Sequence, residues 1–127
     1  MSGIFVLTIG ASEAENILEY QSVMGGLDWS YSQSTLLVSL LEERRPRLFS
    51  LFTTNGPSDL STTEVDNFDG TPTWSPKEDW IAYRGYDSET DSIQIFRVRP
   101  DGSSREKVSN ITGCYPSDPD WFSFSSE

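Results

Sequence analysis

Carboxylates are the most numerous side chains here with chemistry to offer: 20 Asp and Glu stand against 9 Lys and Arg, with no histidine and a single cysteine, Cys114. Glu64, Asp66 and Asp69 fall close together, and Asp118 and Asp120 stand at the corresponding place further along. Oxygen ligands grouped in this way suit a hard cation such as calcium. Their spacing is not that of a helix–loop–helix calcium site, and a solvated acidic surface is the plainer reading. Asp87, Glu89 and Asp91 read likewise as a solvated loop. Without histidine, a Ser-His-Asp or Cys-His nucleophile and a histidine-based zinc site are excluded. One cysteine excludes an intramolecular disulfide. No serine sits in a Gly-x-Ser-x-Gly elbow, and Lys77 and Lys107 are the only lysines. Chemistry by two carboxylates is compatible with the composition, but no pair is singled out. The expectation is a protein that is not an enzyme and carries no cofactor.

The formal net charge of -11 opposes nucleic-acid phosphates and anionic membrane surfaces and permits a cationic partner. No stretch approaches the length of apolar sequence that spans a membrane as a helix. The apolar run Gly3-Ile4-Phe5-Val6-Leu7-Thr8-Ile9-Gly10 has no Lys or Arg before it and three Glu soon after it, at 13, 15 and 19. Both features argue against a secretory signal, and cytoplasmic residence is the default expectation.

The tryptophans reveal what must position these side chains. Asp28-Trp29-Ser30, Thr73-Trp74-Ser75-Pro76 and Asp120-Trp121 place a Trp at one register, with spacings of 45 and 47 residues. After Trp29 and Trp74 comes a turn, then an apolar run: Leu36 to Leu40 in one unit, Trp80-Ile81-Ala82-Tyr83 in the next. A further run follows in each, Leu48 to Phe52 and Ile93 to Arg99, leading to turns at Asn55-Gly56 and Asp101-Gly102. Asn-Gly and Asp-Gly tolerate the positive φ of a tight hairpin. Weaker strands are expected at 60–65 and 105–108. Each unit thus reads as four short antiparallel strands, a to d, and such a unit buries both faces only when stacked against others around an axis. The segment 4–10 fits strand c with its turn, Phe5 in the place of Phe96, and 16–19 fits strand d. The segment 118–124 fits strand a. A helix over 12–20 is the lesser alternative, because turn residues bound it. The chain is therefore a single all-β domain over 1–127. It divides into a partial blade at 1–24, blades at 25–67 and 68–113, and the first strand of another at 114–127.

These residues resemble a known family. Gly70-Thr71-Pro72-Thr73-Trp74-Ser75-Pro76, then Trp80-Ile81-Ala82-Tyr83, Ile95-Phe96-Arg97-Val98 and Asp101-Gly102, are similar to the WD40-like repeat of the TolB β-propeller family. The first unit resembles it more loosely, since Asp28-Trp29-Ser30 lacks the proline. Lys77-Glu78-Asp79 stands where the family's turn continues Asp-Gly, and Val108-Ser109 where it has Leu-Thr. The resemblance implies propeller blades in a ring. The family's ring has six, and this chain has material for fewer than three.

Closure by self-association is expected: strand a of one chain joining strands c and d of another gives a homodimeric ring. Trp29, Trp74 and Trp121, with Phe5, Phe49, Phe96, Gly56 and Gly102, are the structural repeat positions. The residues expected to contact a ligand are Trp80, Asp66, Asp69, Asp118 and Asp120, with Glu64, Asp66 and Asp69 as a candidate metal set. Arg97, Arg99 and Arg105 are expected near one another across strands c and d. The function these features suggest is a noncatalytic module that binds a protein or peptide, or mediates assembly. The alternative is carbohydrate or cation binding, or a carboxylate-based hydrolase, at the propeller centre. A pocket with convergent carboxylates beside an exposed Trp favours the alternative; a flat loop face favours the first.

Overall fold

A computed structural model describes residues 2–20, 23–30, 32, 35–42, 45–52, 56–59, 70–113, 116 and 119–121, with the backbone alone at 2, 17–20, 23–25, 42, 45–52 and 56–59. Every element in it is a strand. These are β1 (Ser2–Val6), β2 (Glu15–Tyr20), β3 (Val23–Trp29), β4 (Thr35–Glu42), β5 (Arg45–Phe52), β6 (Gly56–Asp59), β7 (Gly70–Trp74), β8 (Ile81–Asp87), β9 (Ser92–Val98) and β10 (Glu106–Lys107). They form a β1–β2 hairpin and two four-stranded antiparallel meanders, β3-β4-β5-β6 and β7-β8-β9-β10. The repeat is therefore a structural one: Trp29 pairs with Leu36 and Trp74 with Ile81, each at the end of a first strand entering its turn.

Alternation makes the second meander two-faced. Buried and half-buried residues alternate along β7 and β9, which is the pleat of a strand with unequal faces. Trp74, Ile81, Tyr83, Phe96 and Val98 share one face, and Leu37 of β4 completes their cluster, so the second sheet turns this face onto the first. Full burial of an aliphatic side chain such as Ile81 or Leu37 is worth about 1.5–3 kcal/mol. The sheets approach backbone to backbone at Gly26, where φ is +68° and an added Cβ would stand 2.7 Å from Thr71 Cα. Only glycine fits that crossing.

Segment 15–20 is a strand, as the repeat frame requires, and not a helix. The fourth strand of the first unit differs from expectation. It begins at Gly56, paired with Phe52, so Gly56 lies in β6 while the connection is 53–55. Residues 60–69 lie outside the described residues, and the expected strand at 60–65 with them. None of the described residues between 116 and 121 is in a strand, and 122–127 lie outside the description. Gly102 occupies the β9–β10 turn with φ +86°, as its Asp-Gly context anticipates.

Past β10 the chain is fastened by a buried amide. Gln94 is fully buried; its Nε2 donates to Ile111 O (2.8 Å) and Ser92 Oγ (2.9 Å), and its Oε1 accepts from Ile111 N (2.8 Å) and Ser109 Oγ (2.7 Å). At the far end of β8, Asp87 accepts from Lys107 Nζ (2.8 Å) and Thr90 Oγ1 (2.6 Å). Those two bonds, Lys107's first, hold the Asp87 carboxyl down at about 2 against the opposing effect of burial, and the Lys107 ammonium is raised in turn.

Candidate functional site

The turn between β7 and β8 is built from its own side chains. Ser75 N donates to Trp80 O and Glu78 N to Ser75 O, both at 2.8 Å. Ser75 Oγ donates to Asp79 Oδ1 (2.9 Å) and accepts from Trp80 N (3.0 Å). Glu78 sits at φ +58°, in the left-handed region, where a residue with a Cβ is strained and glycine is the ordinary occupant. Its carboxylate explains the choice. Glu78 accepts from Ser30 Oγ (2.9 Å), from Ser32 N (3.2 and 3.3 Å to its two oxygens) and from Ser32 Oγ, all in the turn after β3.

Asp28 makes a second bond set between the sheets. Its Oδ2 accepts from Trp74 N (2.7 Å) and Thr73 Oγ1 (3.1 Å). The next repeat continues the series: Trp121 Nε1 donates to Thr73 O at 3.1 Å, and Trp121 N to Asp120 Oδ1 at 2.8 Å. Three successive Trp positions are thereby drawn side by side.

Between them lies a cleft of about 250 Å³, walled by Trp29, Trp74 and Trp121 and by the carboxylates of Asp28, Glu78 and Asp120. Trp74 is 7% exposed and its Nε1, buried, has no hydrogen-bond partner among the described residues; Trp29 is 42% exposed. Among the described residues, no Lys or Arg contributes to the wall. Among the described residues, no three acidic or cysteine side chains are grouped to hold a metal ion. The cleft has donors, acceptors, negative charge and aromatic surface, which together suit a ligand with a cationic end and a polar backbone.

The expected site residues are distributed differently. Of them only Asp120 reaches the cleft; Glu64, Asp66, Asp69 and Asp118 lie outside the described residues. Trp80 lies apart from the cleft, half-buried, with the Arg97 and Arg99 guanidiniums 4.1 and 3.7 Å from its ring centroid. Arg105 goes elsewhere: its Nε donates to the Tyr83 hydroxyl (2.5 Å) and its guanidinium lies 4.1 Å from the Phe96 centroid. So Arg97 and Arg99 converge and Arg105 does not join them. Phe96 is buried and stacked on Tyr83 at 5.9 Å, whereas Phe5, its counterpart, is 60% exposed. Phe49 lies in β5 opposite Val38 and Asp59. Sequence reading missed Asp28 and Glu78 as site residues. The signal for Glu78 was present, a glutamate where the repeat pattern has glycine.

No family model matches the sequence, and no curated protein does. Among solved structures, the chain is similar to the putative TolB of Agrobacterium tumefaciens, with a TM-score of 0.72 and 22% identity over 86% of this chain. The match spans 38% of that structure's chain. The fold is thus a TolB-like β-propeller fold, of which this chain shows two four-stranded blades and a flanking hairpin.

Proposed function

We propose that the chain is a noncatalytic propeller module that binds a basic peptide or protein segment in the indole–carboxylate cleft. The observation that carries this reading is the wall itself, in which the described residues are three indoles and three carboxylates with no basic side chain among them. A Lys or Arg side chain is met there by carboxylates and by aromatic faces. The exposed Trp29 ring offers that side chain an aromatic face at the cleft wall. Each carboxylate already accepts from a donor of the chain: Asp28 from Trp74 N, Glu78 from Ser30, Asp120 from Trp121 N. They are held in place as fixed acceptors, an arrangement for recognition and not for proton transfer.

A second reading rests on the half-exposed Trp29 beside Asp28: an indole face with flanking acceptors also suits a sugar ring. One experiment separates the two. Titration of the chain with an Arg/Lys decapeptide, read by tryptophan fluorescence, is expected to saturate, and Asp120→Lys to weaken it by about tenfold, or ~1.4 kcal/mol. A response to neutral oligosaccharides with none to the basic peptide would favour the second reading and overturn the first.

A further inference from the structure

The three carboxylates of the cleft are not equivalent as acceptors. Both Glu78 oxygens accept from Ser32 N, and Oε2 also accepts from the Ser30 and Ser32 hydroxyls. Glu78 therefore lends the cleft negative charge while its acceptor positions are taken up inside the chain. Asp28 and Asp120 are each used on one oxygen only. Asp28 Oδ2 accepts from Trp74 N and Thr73 Oγ1, and Asp120 Oδ1 accepts from Trp121 N. Among the described residues, Asp28 Oδ1 and Asp120 Oδ2 accept nothing. Thr73 draws the two acids to one place, because its hydroxyl donates to Asp28 and its carbonyl accepts the indole N–H of Trp121, the neighbour of Asp120. On the same wall, next to Asp28 in the chain, stands the exposed ring of Trp29.

Two acceptor oxygens mounted on different residues, beside an aromatic face, discriminate between the two basic side chains. The lysine ammonium is a compact, strongly hydrated point charge with its donors gathered at one end. The arginine guanidinium is planar and less strongly hydrated, carries N–H donors along its edges, and lays its flat face on an indole. Only the guanidinium meets a ring with its face and two separate carboxylates with its edges at once. The chain already uses this combination for one of its own side chains. The Arg97 guanidinium lies 4.1 Å from the Trp80 ring centroid while its Nε donates to Glu106.

Resting on the reading that this cleft takes a basic segment, we infer that it selects arginine over lysine: the guanidinium stacks on Trp29 and donates to Asp28 Oδ1 and Asp120 Oδ2. The test is calorimetric titration of the full chain with two decapeptides of equal charge, five Gly-Arg repeats and five Gly-Lys repeats, at one ionic strength. The arginine peptide is expected to bind about tenfold more tightly. Trp29→Leu removes the stacking face and is expected to bring the two peptides within about twofold of each other. Asp28→Asn and Asp120→Asn each keep one oxygen for the bond inside the chain and replace the other with an amide NH2, a donor where the ligand needs an acceptor. Both are expected to weaken the arginine peptide more than the lysine peptide. Circular dichroism shows whether each variant is folded, and the two Asn variants test the assignment independently of Trp29. Equal affinity of the two peptides for the unaltered chain would overturn the inference and leave the basic-segment reading standing. A preference for arginine that survives all three substitutions would overturn it as well. Binding of neither peptide would overturn the basic-segment reading, and the inference with it.

Discussion

At the residue scale, Glu78 is the position where two demands conflict. Its backbone is in the conformation glycine prefers, and its side chain joins one blade to the next through Ser30 and Ser32. The left-handed conformation costs about 1–2 kcal/mol for a residue with a Cβ, and hydrogen bonds to a charged acceptor are worth about 1.5–3 kcal/mol when well sheltered. Glu78→Ala keeps the strain and loses the bonds; Glu78→Gly loses both. Urea unfolding is expected to show Ala as the more destabilising by about 1 kcal/mol, and equal midpoints would contradict the account. This role was invisible in composition, since one glutamate among 20 acidic residues reads as solvated surface. Only the backbone angle and the serines opposite give it meaning.

Asp87 gives a pH prediction at the same scale. Its folded pKa, about 2, lies below the ordinary 3.8, chiefly through Lys107 and then Thr90. A depressed carboxyl contributes stability that is fully present above the ordinary value and is lost as pH falls through the folded one. Between about pH 4 and 2 the natural protein therefore loses stability that Asp87→Asn lacks from the start. Thermal melts across that window should converge for the two proteins. Parallel curves would mean that the Lys107 contact contributes nothing.

At the element scale, the repeat was legible because its signals are local. A Trp followed by a turn, an aliphatic strand and a Gly-bearing hairpin recur at fixed spacing, and the strands form where those signals stand. The β1–β2 pair was legible for the same reason. Where the signal was shifted, so was the strand: Asn55-Gly56 reads as a two-residue turn, but Gly56 is already paired with Phe52. The contact between sheets was not legible, because a glycine that admits another backbone looks like any other glycine. Gly26→Ala must displace Thr71 from the 2.7 Å approach at an already positive φ, so a loss of more than about 2 kcal/mol is expected in denaturant unfolding. Gln94→Leu strands the Ile111 N–H and C=O, whose amide exchange should accelerate while that of β8 is retained. Uniform acceleration through both strands would show instead that Gln94 supports the whole sheet.

At the scale of the whole molecule, a net charge of -11 has two opposed consequences. Self-repulsion weakens the compact state, so added salt should raise the melting temperature. Salt also screens the attraction between the cleft and a basic partner, so the same salt should weaken binding. The cleft was half legible: the three tryptophans announced themselves by spacing, whereas of the carboxylates beside them sequence reading singled out Asp120 but not Asp28 or Glu78. What brings Asp28, Glu78 and Asp120 to one wall is the stacking of successive blades, and no single blade contains it.

The most direct test follows from the four tryptophans, each of which gives its own indole N–H resonance. In a ¹H–¹⁵N titration with the basic decapeptide, the resonances of Trp29, Trp74 and Trp121 should shift in a saturable way, Trp29 most, because its indole is the exposed one at the cleft wall. Trp80, packed against the Arg97 and Arg99 guanidiniums away from the cleft, should stay in place. Movement of Trp80 alone, or no movement of the three cleft indoles at saturating peptide, would contradict the account.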